Sequence, residues 1–365
     1  MPLPALRTLI ALLLIATTVL PIRAEAKKHP HHAKKTSKAA ASAPVPGPSY
    51  AQRADAMQAA DDIARQRDLD PAWVRQALGQ AHYIQSIAQA VTPPAVGVAK
   101  NWQLYRSRFI EPKRIRAGVA FWQAQRETLL RAQAQTGVPV DILLGIIGVE
   151  TIYGQNMGNY RVLDALATLA FDFPQSHPRA TERSRYFTGE LAQFLSMMQL
   201  AGIDPTLWRG SYAGALGLPQ FMPSSWHKYA VDFDADGKID LFASPADAIG
   251  SVANYLASFG WKPGQATHYA LSFDSTQLDL PALLAPDILP TFSAAQLQAK
   301  GVVLEAAAQT YPGKLALVKL ENGDAPPTYL AGTENFYVIT RYNWSSYYAM
   351  AVIELGQAVL QAASP

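Results

Sequence analysis

Asp141-Ile142-Leu143-Leu144-Gly145-Ile146-Ile147-Gly148-Val149-Glu150-Thr151 is the stretch on which the reading of this chain turns. It is apolar nearly all round, the pattern of a helix buried on every side, and after its first turn Glu150 is its one carboxylate. Helical spacing sets Glu150 above Ile146 and Ile147 and in line with Leu143, so the carboxyl leaves the helix along an apolar stripe. Poor solvation and the nearby helix C-terminus both disfavour the ionised form. The pKa is therefore expected to rise toward neutrality, which suits a general acid. The competing reading is a structural glutamate held by an arginine such as Arg161 or Arg185. Gly154 and Gly158 weigh against it, because they end the helix in an open loop directly after the acid.

Outward from this helix the chain reads as α+β and mostly helical. Before it, residues 51–135 carry a helical pattern through Met57, Ile63, Val74, Leu78, Ile84 and Ile87. The aromatics Trp102, Tyr105, Phe109 and Trp122 in this region suit an ordinary core better than a sugar groove on spacing alone. Helical texture continues over residues 136–262, interrupted by glycine and proline clusters at 210–223 and an acidic loop at 232–240. Residues 263–334 change character: Ala316-Leu317-Val318-Lys319-Leu320 before Glu321-Asn322-Gly323-Asp324 predicts short strands around a turn, in a small β-containing insertion. Residues 335–365 end in a helical run that is expected to return to the central region.

The N-terminus reads differently. Arg7, an apolar run from Leu9 to Leu20 and Ala24-Glu25-Ala26 form a cleavable secretory signal over residues 1–26. The run falls short of a membrane-spanning helix, so no stable membrane span is expected. A basic, Ala/Ser/Pro-rich linker follows over residues 27–50. Of the net charge of +3, this tail holds all the positive excess, leaving about −3 on residues 50–365, which excludes a nucleic-acid footprint. With no cysteine, disulfides, thiolate chemistry and lipid attachment at an N-terminal Cys are excluded too.

Several longer motifs then fall in a fixed order. They are Gly148-Val149-Glu150-Thr151, Leu163-Asp164-Ala165-Leu166-Ala167-Thr168-Leu169, Gly214-Ala215-Leu216-Gly217-Leu218-Pro219-Gln220-Phe221-Met222-Pro223-Ser224-Ser225 and Ala248-Ile249-Gly250-Ser251-Val252-Ala253-Asn254-Tyr255. In these the chain resembles the lytic murein transglycosylase B family, from about Trp102 to Gly260 and again from Asn335 to Asn343. The resemblance implies a lysozyme-like core, export to the periplasm and peptidoglycan glycan strands as the substrate, with no organic cofactor. Glu150 would act as acid and then base, releasing 1,6-anhydro-muramic ends.

By motif, the resemblance carries substrate contacts onto Tyr105, Ser211, Gln220, Phe221, Tyr255, Tyr337 and Tyr342. Arg183 is a further contact, although Gln175–Glu182 reads as an insertion and Ser184 separates Arg183 from Arg185. Trp344 stands where the family commonly has His. Asp164 is the nearest second carboxylate and is expected to cap the helix that follows it. Asp232-Phe233-Asp234-Ala235-Asp236-Gly237-Lys238-Ile239-Asp240 matches the first nine positions of a calcium loop, with Asp232, Asp234, Asp236 and Lys238 at ligating positions. Its twelfth position is Ala243, so Asp247 is expected to close a structural calcium site from a longer loop. Two other functions fit the same residues: a muramidase that admits water, and a noncatalytic wall-binding protein. Which wall-synthesis proteins serve as partners is not written in the chain.

Overall fold

The computed structural model describes residues 45–92 and 100–364. The expected signal and most of the linker lie outside them. Helices α1 (Ala54–Arg67), α2 (Pro71–Gly79) and α3 (Gln85–Ala90) come first, then α4 (Trp102–Arg106), α5 (Pro112–Thr136) and α6 (Val140–Thr151). Strand β1 (Tyr160–Arg161), helices α7 (Val162–Phe171) and α8 (Ala180–Ala201), and strand β2 (Arg209–Gly210) follow. They are succeeded by α9 (Pro223–Tyr229) and α10 (Pro245–Ser258). The small β region holds β3 (His268–Tyr269), β4 (Leu271–Phe273), β5 (Val302–Leu304), β6 (Ala316–Asn322) and β7 (Ala325–Gly332). The short helices α11 (Leu280–Leu284), α12 (Ala294–Gln298) and α13 (Ala306–Gln309) lie among these strands. Helices α14 (Glu334–Thr340) and α15 (Ser346–Ala363) close the chain.

These elements form two compact units that do not follow chain order. One joins residues 45–92 to Gly158–Gly214, with α7 packed against α8 and α3, and α8 also against α1. The other joins residues 100–157 to 215–364. The division thus differs from the expected 51–135 and 136–262, because a sequence shows helices but not which distant helix each one covers. Residues 47–50 also differ from the expected linker. Gly47 N–H donates to Tyr83 O at 2.8 Å, Tyr83 N–H donates to Pro48 O at 3.0 Å, and Tyr50 is buried.

In the β region, the predicted strand and turn form the β6–β7 hairpin, with Gly323 at φ +66° in the turn. Strand β3 pairs with the other edge of β7, and β4 pairs with β5, all antiparallel. Leu283, Leu297, Leu304, Leu315 and Leu317 form a core of their own beneath these strands. Among the described residues, no single helix is long and apolar enough to cross a membrane.

The second unit is organised by α6, which is buried almost throughout, as its composition dictates. Helix α15 runs antiparallel along it at unusually short range. A Cβ at Gly145 would lie 2.0 Å from Val352 O, and one at Gly356 would lie 1.9 Å from Asp141 O. Only glycine permits that backbone approach. Helix α5 begins with Pro112 at its first position and Glu111 as its N-cap, accepting from the N–H groups of Lys113 and Arg114. Both α5 and α10 pack against α6.

Because the obstacle at Gly356 is backbone rather than a movable side chain, Gly356→Ala is expected to cost about 3 kcal/mol of stability. Urea unfolding checks this, and a loss under about 0.5 kcal/mol would contradict the close packing.

Candidate active site

Glu150 sits in the last turn of α6, where the helix gives way to a loop of unusual backbone. Ile152 and Tyr153 are consecutive non-glycine residues in the left-handed region, at φ +53° and +56°. Each such residue costs on the order of 1–2 kcal/mol, more for a β-branched one. Thr151 holds the turn in place. Its hydroxyl donates to Leu218 O at 2.9 Å and accepts the Gly154 N–H at 3.0 Å. The expected sharp loop is therefore present, although Ile152 rather than a glycine makes the first left-handed step.

The carboxyl is only partly exposed, and the Tyr348 hydroxyl donates to its Oε1 at 2.5 Å. Burial pushes the Glu150 pKa from an ordinary 4.5 up to about 7, while the Tyr348 hydrogen bond and the charge of Arg114 pull against that rise. No ion pair holds Glu150 among the described residues, which removes the structural reading that needed one. Arg161 instead faces Asp164, with Nε and Oδ2 3.6 Å apart.

A continuous aromatic wall runs away from the acid. Tyr348 stacks on Tyr342 with centroids 6.3 Å apart and planes at 12°, and Tyr342 meets Tyr255 at 4.9 Å. Phe221 lies against both Tyr255 and Tyr342. Burial raises the phenols of Tyr105, Tyr255, Tyr342 and Tyr348, so all stay protonated at neutral pH. Three of these hydroxyls are engaged as donors: Tyr348 to Glu150, Tyr342 to Pro219 O at 2.5 Å and Tyr255 to Arg341 O at 2.7 Å. On the other side, Tyr105 packs on Phe109 at 5.0 Å and Tyr347 at 5.7 Å.

The expected site residues thus divide. Glu150, Tyr105, Gln220, Tyr255, Tyr337 and Tyr342 belong to one unit, and Tyr105, Gln220, Tyr337 and Tyr342 keep partly exposed surface. Phe221 is 2% exposed and Tyr255 6%, so they build the wall from behind rather than offer a face to sugar. Gln220, itself left-handed at φ +50°, spends its amide nitrogen on Gly217 O at 2.9 Å and Met157 O at 3.2 Å. Tyr337 accepts from Arg341 Nη1 at 3.0 Å, and the guanidinium also lies over Phe259 and Trp344. Ser211 and Arg183 belong to the other unit, where the Ser211 hydroxyl accepts the Ala213 N–H at 3.2 Å.

Asp164 departs from its expected role. It occupies the first turn of α7, which has no side-chain cap, and its Oδ1 accepts the His82 N–H at 2.9 Å. A long-range tie between segments outcompetes local capping. Two contributors escaped sequence reasoning, Tyr348 and Arg114. The tyrosine lies 198 residues from Glu150 in sequence, so only its place in the returning α15 helix could have flagged it.

In the acidic loop, one carboxylate oxygen each from Asp232, Asp234 and Asp247 lies within 4.8 Å of the others. Gly237 has φ +89°, and Asp232 accepts the N–H groups of Asp236 and Gly237. Buried Asp247 ties the loop to α10, accepting the N–H groups of Phe233 and Asp240, both at 2.8 Å. The donor set is all hard oxygen and uncompensated by any ion pair among the described residues, which fits calcium chemistry. The expected ligand Asp236 is not in that group, and its Oδ1 accepts the Lys238 N–H at 2.9 Å.

A glutamate with a folded pKa near 7 binds a proton more tightly folded than unfolded. Its protonated form is thus favoured by folding at pH below about 4.5, and that advantage is lost as pH rises to 7. Neutral Glu150→Gln should match the parent near pH 4 and exceed it by on the order of 2–3 kcal/mol above pH 7. Thermal unfolding at the two pH values decides; an equal difference at both would contradict the burial argument.

The family model for the transglycosylase SLT domain matches residues 52–357. Membrane-bound lytic murein transglycosylase B of Escherichia coli (strain K12) is 40% identical over 323 residues, 86% of this chain and 84% of that protein. The structure of Escherichia coli lytic transglycosylase SLT35 with bulgecin A superposes at a TM-score of 0.75, with 40% identity, covering 87% of this chain and 96% of that one. The same enzyme in complex with calcium gives 0.74 and 39% over equal shares. Soluble lytic transglycosylase SltB1 from Pseudomonas aeruginosa gives 0.74 and 39%, covering 84% of this chain and 99% of its own. Glu150 and its aromatic wall therefore stand in a lysozyme-like fold shared with lytic transglycosylases, and the chain belongs to the transglycosylase SLT domain family.

Proposed function

We propose that the protein is a peptidoglycan lytic transglycosylase that cleaves the β-1,4 bond between N-acetylmuramic acid and N-acetylglucosamine through Glu150 alone. The observation that carries this is the Glu150 carboxyl itself, raised to about 7 and hydrogen-bonded by Tyr348, with no second carboxylate paired to it among the described residues. A protonated Glu150 gives its proton to the glycosidic oxygen as the bond to the muramic C1 breaks, and the N-acetylglucosamine side leaves as an alcohol. The C6 hydroxyl oxygen of the muramic residue then bonds to C1, and its proton returns to Glu150, which restores the enzyme. Tyr105, Gln220, Tyr337 and Tyr342 have surface available for sugar faces and acetamides, and Ser211 and Arg183 are carried as further contacts by motif. Phe221 and Tyr255 support that surface from beneath. Residues 1–26 direct export, placing the enzyme in the periplasm with its substrate.

Treating purified wall sacculi with the mature protein and analysing soluble products by mass spectrometry tests this reading. Anhydro-muropeptides from the parent, with at least about 100-fold less from Glu150→Gln, are expected for a lost general acid. Reducing ends would establish the hydrolase instead, and no product from folded parent would point to a binding protein.

We also assign the acidic loop to a structural calcium ion held by Asp232, Asp234 and Asp247, with the Lys238 carbonyl at the seventh loop position. The calcium complex of SLT35 and the convergence of the three carboxylates support this assignment. Calcium should raise the midpoint of thermal unfolding by a few degrees over EGTA in the parent but not in Asp234→Asn. Equal midpoints with and without the ion in the parent would remove the site.

A further inference from the structure

The short ladder of β1 and β2 sets Arg161 directly opposite Arg209. Residues so paired share one face of the ladder, and like charges placed this way repel. Among the described residues Arg209 has no ion pair, and its Nη1 donates to Thr206 O at 2.7 Å. Arg161 spends Nη2 on Gln80 O at 3.1 Å, while its Nε has no hydrogen-bond partner. One carboxylate stands behind the pair. Asp164 Oδ2 lies 3.6 Å from Arg161 Nε, at ion-pair but not hydrogen-bond range, and its other oxygen is taken by the His82 N–H. Asp204, in the loop that leads to β2, caps the Thr206 N–H at 2.8 Å.

The two arginines open onto a pocket of about 440 Å³, lined by Gln80, His82, Arg161, Thr206, Leu207 and Arg209. All six belong to the unit that joins residues 45–92 to Gly158–Gly214. The lining carries two guanidiniums and no carboxylate, and none of the large aromatic rings that form the wall beside Glu150. Leu207, 64% exposed, gives it one apolar side, while Gln80 and Thr206 offer an amide and a hydroxyl. A guanidinium fork matches the two oxygens of a carboxylate, and an anion between Arg161 and Arg209 would offset their repulsion. Ser211, carried by motif as a substrate contact, follows β2 directly. It is two residues from Arg209, so at most about 7 Å along the chain. A Cβ at Gly158 would lie 2.1 Å from Gly210 O, so the strand that leads to Ser211 is held closely against the chain before β1.

We propose that this pocket binds a free carboxylate of the peptide stem borne by the glycan strand, with Arg161 and Arg209 as its two cationic contacts. The choice of ligand rests on wall glycan being the substrate. Stem peptides hang from the muramic residues of that glycan, and their carboxylates are the anions such a strand offers. The lining suits a short peptide: the arginines take the carboxylate, Gln80 and Thr206 take peptide N–H and C=O groups, and Leu207 takes an alanine-sized side chain. Arg183, the basic contact carried by motif, lies on α8 and is not part of this lining.

Calorimetric titration of the mature protein tests this with three probes: the tripeptide L-Ala-γ-D-Glu-meso-diaminopimelate, the same tripeptide with its carboxylates amidated, and inorganic phosphate. The free-acid tripeptide should bind the parent, and amidation should weaken it at least about 10-fold. Arg209→Gln should weaken the free-acid tripeptide by a similar factor without moving the thermal midpoint, since Arg209 is exposed. Arg209→Glu should abolish binding, and Arg161→Lys, which keeps the charge beside Asp164 but loses the fork, should fall between it and the parent. If the Arg161 variant does not fold, the two Arg209 variants carry the comparison. Equal affinity in the parent and both Arg209 variants would seat the peptide elsewhere and overturns the proposal. So does phosphate bound as tightly as the tripeptide, the mark of an unselective anion site, or no tripeptide binding by the folded parent up to about 10 mM. Binding is read here without turnover. A parent that releases no product from sacculi yet binds the tripeptide through Arg209 would refute the transglycosylase reading alone, and an active parent indifferent to Arg209 would refute this inference alone.

Discussion

Two glycines facing backbone decide most of what this enzyme can do. Gly145 lets Val352 approach α6, and Gly356 lets Asp141 approach α15, so the two helices lie closer than any Cβ would allow. The antiparallel pairing fixed there brings Tyr348 to the other end of the contact, opposite Glu150, where the hydroxyl meets the carboxyl at 2.5 Å. A wider helix spacing would admit water or leave a buried carboxylate without a donor, and either change would move its proton affinity far from neutrality. The apolar character of α6 is therefore a chemical setting as well as a folding signal. It supplies the desolvation that raises the proton affinity of Glu150, while Tyr348 supplies a limit on that effect.

The loop around the acid is held against its own preferences. Ile152, Tyr153 and Gln220 all adopt left-handed backbone, and none is glycine. What sustains them is a small set of bonds within the same unit: Thr151 to Leu218, Gln220 to Met157 and Gly217, and Tyr342 to Pro219. These tie the end of α6 to the turn at 215–221 and to the segment before α15. Strain concentrated beside the proposed acid and maintained by several surrounding contacts is the pattern of a preorganised site. It also accounts for the chemistry-bearing motifs being dispersed along the chain: each supplies one side of the same loop cluster.

The acid was legible in the sequence because its signal is local. An apolar helix, one carboxylate and a glycine-punctuated loop lie within twenty residues, and helical periodicity converts them directly into a buried acid. The β6–β7 hairpin was legible for the same reason. Partners that arrive from far along the chain were not. Tyr348 is an ordinary helical tyrosine until α15 is laid on α6, and Arg114 reads as a surface residue beside Lys113 and Arg116. Motif transfer assigned Phe221 and Tyr255 as contacts without distinguishing a residue that touches sugar from one that backs it. Asp164 fits a helix cap on local spacing, but the His82 N–H, 82 residues away, takes its oxygen. The expected single unit over 136–262 missed the separation of 158–214 from 136–157 for a similar reason, since compactness is a property of long-range contacts.

Asp247 links the acidic loop to the chemistry without touching it. It lies in the first turn of α10, and its two oxygens hold the loop through Phe233 and Asp240. Two turns along the same helix is Tyr255, which packs at a tilt on Tyr342, which in turn stacks on Tyr348 at Glu150. A cation drawn to Asp232, Asp234 and Asp247 would offset the mutual repulsion of three carboxylates and fix the start of α10. Its influence would reach Glu150 only through packed rings, one layer at a time. Such a path transmits position but little charge, because the tyrosines remain neutral and several ring spacings separate the loop from the carboxyl. The loop therefore governs how well the aromatic wall is held, whereas the proton affinity of Glu150 is raised by burial and limited by the Tyr348 hydrogen bond and the charge of Arg114.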